Sequence, residues 1–148
     1  MATITNAILK ASLNPSVVLC PTYSGKILAG QSRFPSPAQD YEMAELDLNK
    51  RFISNPPSTF LMEVAGDSMI DVGIYPGSIL VVDRSLKEKS SSIVVALVDG
   101  ELMVKRLYKR AGVVKLLSEN PAYPPILIND GQDAMIWGVV AYVINRPE

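Results

Sequence analysis

The chain has 148 residues, 48% of them apolar and 20% charged, with a formal net charge of -1. That is enough for one compact domain with a real core plus an arm, and it carries no chain-wide electrostatic footprint for nucleic acid. It has no histidine and one cysteine, Cys20, which excludes a Ser-His-Asp triad, a histidine base, a histidine-ligated metal, an internal disulfide and a thiolate zinc cluster.

The opening "MATITNAILKASLNPSVVLC" has no basic start, and Lys10 and Pro15 interrupt its apolar content, against the pattern of a secretory signal. A lone cysteine suits a reducing compartment, and a cytoplasmic protein is expected. Residues 1–40 hold Pro15, Pro21, Gly25, Gly30, Pro35 and Pro37 without sustained periodicity, so they are read as a flexible N-terminal arm. In "AELDLNKRFISNPP", Asp47 is placed to cap a short turn of helix that Pro56 and Pro57 stop.

From Thr59 onward the chain changes character. "TFLMEVAG", "SILVVDR", "SIVVALVDG", "ELMVKRLYKR", "VVKLLSEN" and "IWGVVAYVINR" are short runs rich in β-branched residues, divided by Gly, Pro, Asn or Asp turns. Pro76-Gly77 fits the centre of a type II turn, and Asp99-Gly100 the centre of a tight hairpin. The longest apolar run, Ile136 to Ile144, falls short of the roughly 20 residues that span a bilayer and is read as a buried strand. The expected fold is mainly β, with short antiparallel strands and hairpins over residues 41–148 behind the arm of residues 1–40.

Two residues stand out. In "VAGDSMIDVGIYPG", Ser68 follows a glycine and an acid. It is either a turn or cap residue or a nucleophile, and without histidine a nucleophile needs a lysine, carboxylate or tyrosine. In "ELMVKRLY", period-2 alternation puts Lys105 on one face with Met103 and Leu107. A lysine there either snorkels to water or, desolvated, falls from its reference pKa near 10.4 and becomes a general base. Met69 reads as packing, and Asp67 and Asp71 as turn residues rather than a carboxylate pair. The cluster Lys105, Arg106, Lys109 and Arg110 reads as a solvated hairpin before a nucleic-acid face.

"GDSM", then "GIYPGSILVVDRSL", then "VKRL" with its lysine 37 residues beyond Ser68, resemble the body of the LexA/UmuD self-cleaving serine/lysine peptidases. "FPSPAQDY" (Phe34 to Tyr41), "LDLN", "VDGE" and "WGVV" bring the likeness closer to the UmuD branch, over roughly residues 29 to 146. The resemblance implies a serine endopeptidase with a Ser68/Lys105 dyad that acts on its own chain. The backbone N–H groups of Ser68 and Asp67 would form the oxyanion hole, and no cofactor or metal is called for. It implies a cut in the arm between a small residue and a glycine, here Ala29-Gly30. Ile27 and Leu28 would grip the acyl side, and Gly30 would let the backbone lie close to Ser68. Gln31 to Arg33 are extra before "FPSP", which keeps Ser24-Gly25 as a second possible bond.

The resemblance also implies a RecA filament on single-stranded DNA as stimulator of the cut. The product, residues 30–148, would be a homodimer that joins a UmuC-type Y-family polymerase in error-prone translesion synthesis during the SOS response, with no sequence-specific DNA binding of its own. Three rivals stand beside it. A LexA-like regulator needs a DNA-binding domain that the arm is too short and too aperiodic to supply. A signal peptidase needs a membrane anchor. A non-enzymatic β interaction module would make Ser68 and Lys105 merely structural.

Overall fold

The computed structural model describes residues 3–17, 19–23 and 43–147. In chain order its strands are β1 (Thr3–Lys10), β2 (Leu19–Tyr23), β3 (Met43–Asp47), β4 (Thr59–Ala65), β5 (Ile79–Asp83), β6 (Ile93–Val98), β7 (Glu101–Arg110), β8 (Val113–Leu117), β9 (Ile126–Ile128) and β10 (Ala134–Ile144), with one short helix, α1 (Leu48–Phe52). The chain divides into two compact units, Met1–Leu13 with Ile53–Glu148, and Asn14–Phe52. Among the described residues no helix is long and apolar enough to cross a membrane.

In the smaller unit β2 pairs antiparallel with β3, Cys20 opposite Leu46. Asp47 caps α1 as its position predicts: Asn49 N–H donates to Asp47 Oδ1 at 3.0 Å, satisfying a helix-start donor that has no partner within the helix.

The larger unit is an eight-stranded sheet in the order β1-β4-β5-β10-β6-β7-β8-β9, antiparallel at every pairing. Within the segment expected as an arm, β1 adds a strand to this sheet. It lies along β4, and its first residue, Thr3, pairs with both Ala65 of β4 and Met103 of β7. A strand held at an edge by main-chain hydrogen bonds needs no apolar alternation, so periodicity does not reveal it.

Turn chemistry sets the register elsewhere. Asp99 and Gly100 have φ of 50° and 84°, the pair of positive values a type I′ hairpin requires. Ala111 and Gly112 repeat the pattern with 50° and 79° and join β7 to β8. At Pro76-Gly77 the expected type II turn forms: Gly77 has φ 87° and Ser78 N–H donates to Tyr75 O at 3.0 Å.

The core has two layers. One gathers Met62, Val64, Met69, Ile74, Leu80, Val82, Val95 and Val104; the other gathers Val94, Ala96, Val98, Met103, Leu107, Leu116 and Val139. Neighbours in sequence, Val94 and Val95 or Met103 and Val104, enter opposite layers, so β6 and β7 are covered on both faces. Each of the larger side chains, Val, Leu, Ile or Met, contributes about 1.5–3 kcal/mol by leaving water. The strand expected to be buried, β10, is so only at its centre, Gly138 and Val139. Toward its ends Met135, Tyr142 and Ile144 are exposed although each is paired in register, with Leu97, Val81 and Ile79, so backbone pairing there does not cover the side chains. Gly138 has a packing reason: a Cβ there would lie 2.6 Å from Val82 Cγ1.

Candidate active site

Ser68 is delivered by the turn that ends β4. Gly66, with φ 82°, takes a left-handed conformation that costs glycine little, and the chain reverses through Asp67 into Ser68. Met69 then inserts fully buried into the first core layer, anchoring the turn from below. The helical turn that follows, Ile70–Val72, has Met69 rather than Ser68 at its start and no side-chain cap. Its end is set by Gly73 at φ 76°. Ser68 is therefore not a cap residue, and its side chain is buried at 0% exposure.

Lys105 lies in the middle of β7 with Met103 and Leu107 on its face, as the alternation predicts, and is 1% exposed. It does not snorkel. Its Nζ donates to Ser68 Oγ at 2.8 Å and to Ser118 Oγ at 2.8 Å. Burial pushes its pKa below the usual lysine value of 10.5, because an ammonium away from water loses hydration that two neutral hydroxyls only partly replace. The Tyr123 ring centroid lies 5.8 Å from Nζ, near the outer range of a cation–π contact that favours the charged form.

A segment beyond β8 completes the site. Ser118 follows from register: β7 and β8 pair Leu107 with Leu116 and Arg106 with Leu117, so the next position opposite Lys105 is Ser118. Glu119 N–H donates to Ser68 O at 2.9 Å, and Asp71 N–H donates to Glu119 O at 3.0 Å. Asn120 Nδ2 donates to Asp67 O at 3.0 Å, and the Tyr123 hydroxyl donates to Asp67 Oδ1 at 2.5 Å. That last bond raises the Tyr123 pKa, since ionising the phenol would end the bond and set two negative charges together.

Of the residues singled out in the sequence, Ser68, Lys105 and Asp67 come together here. Asp67 uses its carboxylate to accept from Tyr123, a contact across 56 residues rather than a local turn bond, while Asp71 is exposed. The basic cluster is not one face: Lys105 is buried, Arg106 pairs with Glu119, and Lys109 and Arg110 are exposed. Ala29, Gly30, the alternative Ser24-Gly25 bond, the Gln31 to Arg33 insertion and "FPSPAQDY" lie outside the described residues. Sequence reasoning missed Ser118, Asn120 and Tyr123. Reading Ala111-Gly112 as a two-residue hairpin and counting back from it finds Ser118; Asn120 and Tyr123 reach the site only through tertiary approach.

A lysine amine held against a serine hydroxyl, both out of water, is an arrangement that can transfer a proton and arm an oxygen nucleophile. Among the described residues no group of His, Cys, Asp or Glu is placed to hold a metal ion.

A family model described as Peptidase S24-like matches residues 21–141. The chain is 43% identical to protein MucA of Escherichia coli, over 86% of either chain, and 40% identical to protein SamA of Salmonella typhimurium, over 85% of either chain. It is also 36% identical to LexA repressor 1 of Xanthomonas campestris, over 89% of this chain and 64% of the repressor.

Proposed function

Because this chain belongs to the Peptidase S24-like family, whose members are self-cleaving serine peptidases, we propose that Ser68 is its nucleophile, Lys105 its general base, and the Ala29-Gly30 bond of its own N-terminal arm its substrate. The observation that carries this reading is the 2.8 Å contact between Lys105 Nζ and Ser68 Oγ, with both side chains sealed from solvent.

The steps follow from the two groups. Neutral Lys105 accepts the Ser68 proton along the existing contact as Oγ adds to the Ala29 carbonyl. The resulting oxyanion faces the backbone N–H groups of Ser68 and Asp67. As the C–N bond breaks, protonated Lys105 gives its proton to the Gly30 amine, leaving Ala29 as an ester on Ser68. A water molecule, deprotonated by the again neutral lysine, attacks that ester; as the bond from the Ala29 carbonyl carbon to Oγ breaks, Lys105 returns the proton to Ser68 Oγ and the two pieces separate. The reading divides the chain into an arm, residues 1–40, that carries the cut, and a peptidase body, residues 41–148.

Its biological setting is the SOS response and its mutagenesis, as in UmuD-like proteins. MucA and SamA match this chain over most of their own length at 40% identity or more, whereas LexA repressor 1 matches over 64% of its length, which favours the UmuD-like branch over a LexA-like regulator. In this reading a RecA filament on single-stranded DNA promotes the cut in the cytoplasm. Residues 30–148 then pair as a homodimer and join a UmuC-type polymerase in translesion synthesis.

Mass spectrometry of the purified chain, incubated alone at alkaline pH and with a RecA filament at neutral pH, tests the reading. A product beginning at Gly30, absent from Ser68→Ala and Lys105→Ala, is expected. A product beginning at Gly25 would move the scissile bond, and persistence of the whole chain under both conditions would reject the assignment.

A further inference from the structure

The peptide group between Asp67 and Ser68 is held from outside its own turn. Its carbonyl, Asp67 O, accepts from Asn120 Nδ2 at 3.0 Å, a shorter contact than the 3.4 Å bond it accepts from Ile70 N–H within the turn. In a planar trans peptide the N–H points opposite to the C=O. Tying Asp67 O to Asn120 therefore sets the direction of Ser68 N–H, one of the two donors assigned above to the oxyanion.

Asn120 is itself oriented. Its Oδ1 accepts Ala122 N–H at 3.0 Å, and its backbone carbonyl accepts Tyr123 N–H at 3.1 Å. A side-chain amide has one accepting and one donating end. The Ala122 N–H takes the oxygen, and the Asp67 carbonyl takes the NH2; the flipped amide would set oxygen against oxygen and NH2 against N–H. Three residues on, Tyr123 donates to the Asp67 carboxylate at 2.5 Å, and on the other side Glu119 N–H holds Ser68 O at 2.9 Å. One short segment thus grips the peptide on both sides of the nucleophile's own N–H.

We propose that Asn120 is a positioning residue for the oxyanion hole: its side-chain amide holds the Asp67 carbonyl so that Ser68 N–H is aimed at the charge that develops on the substrate carbonyl oxygen. The inference rests on the assignment of Ser68 as nucleophile. It goes beyond that assignment in giving the family's Ser/Lys pair a third contributor that touches neither Oγ nor Nζ. A donor aimed in advance matters when negative charge appears and little before, so Asn120 acts on the transition state and leaves ground-state peptide binding alone.

The test is Asn120→Asp in the full chain. Aspartate has nearly the same shape and keeps an acceptor for Ala122 N–H, but when ionised it has no proton for the Asp67 carbonyl. Asn120→Ala, which adds no charge, is the companion variant. Three quantities are measured: the self-cleavage rate against pH, the melting temperature, and the affinity for a peptide of residues 24–29 ending in an aldehyde or in an amide. The aldehyde adds to Ser68 and forms an oxygen that needs the hole; the amide does not.

The expected result is a plateau rate at least about tenfold lower in both variants, somewhat less than the loss of a whole oxyanion donor. The pH midpoint set by Lys105 is expected to stay in place in Asn120→Ala, and to rise in Asn120→Asp only by what the added charge contributes. The preference for aldehyde over amide is expected to shrink by a similar factor while amide affinity holds. A purely structural role would lower the melting temperature and weaken both peptides together, and would overturn the proposal. So would variants that cut at the native plateau or keep the native aldehyde preference. Ser68→Ala, run alongside, separates the two layers: if it still cuts, the nucleophile assignment falls and takes this inference with it. If it is inert while both Asn120 variants cut at full rate, the inference alone falls.

Discussion

Lys105 and Ser118 face each other across the β7–β8 hairpin, with Nζ and Oγ 2.8 Å apart, and the same Nζ reaches Ser68 Oγ at 2.8 Å. The amine is thus held between two hydroxyls in a site where it is 1% exposed. An uncharged partner on each side engages two of its three hydrogen-bonding positions without the anion that would keep it protonated.

The cleavage rate should follow the loss of the Lys105 proton. Burial lowers its pKa below 10.5, so the rate is expected to climb about tenfold per pH unit and to level off before that value is reached. Densitometry of self-cleavage from pH 6 to 11 checks this. The expected plateau lies below the point at which a solvated lysine titrates.

The same shift carries a stability signature of opposite sign to that of a salt-bridged lysine. The folded chain gives up its Lys105 proton at a lower pH than the unfolded chain, whose lysine titrates near 10.4. Between the two values the unfolded state holds more protons, and stability rises with pH. In a Ser68→Ala background, Lys105→Met removes the buried charge while keeping an unbranched stem. It is therefore expected to melt higher than its parent at pH 7, by an amount that shrinks as pH approaches 10. Thermal unfolding at several pH values measures it.

Ser118→Ala is expected to slow self-cleavage by about tenfold, the scale on which positioning of a general base contributes. It should also move the midpoint of the pH profile further down, because a hydroxyl that accepts from the ammonium stabilises the charged form and its loss favours the neutral one. Ser118→Thr, which keeps the hydroxyl, is expected to restore most of the rate. A fall in rate with an unmoved midpoint would remove Ser118 from contact with the amine.

Gly138→Ala tests the packing that seats β10 against β5. The new Cβ would meet Val82 Cγ1 at 2.6 Å, well inside contact distance. Val82 is fully buried. A loss of about 1–3 kcal/mol is expected in urea unfolding.

Much of this site is legible in the sequence, for reasons that can be named. The strands after Thr59 announce themselves because β-branched runs alternate with Gly, Asp and Pro turns. Period-2 counting is enough to set Lys105 beside Met103 and Leu107. The absence of histidine leaves lysine, carboxylate or tyrosine as partner for Ser68, and the structure brings lysine. What stays hidden depends on register or on distant approach. The β1 strand is held by its backbone and shows no periodic side-chain pattern. The exposure of Met135 and Ile144, both paired in register, depends on what packs over each face of β10, which no local pattern reveals. Ser118 becomes visible once Ala111-Gly112 is recognised as a hairpin turn. Asn120 and Tyr123 meet Asp67 across more than fifty residues.

The most direct measurement is an NMR titration of the Lys105 side chain, isotopically labelled, in the intact Ser68→Ala chain. A midpoint below that of the surface lysines, matching the pH at which native self-cleavage reaches half its plateau after allowance for the missing hydroxyl, is the result this mechanism requires. A Lys105 amine that titrates with the solvated lysines, or a cleavage profile that ignores its titration, would contradict it.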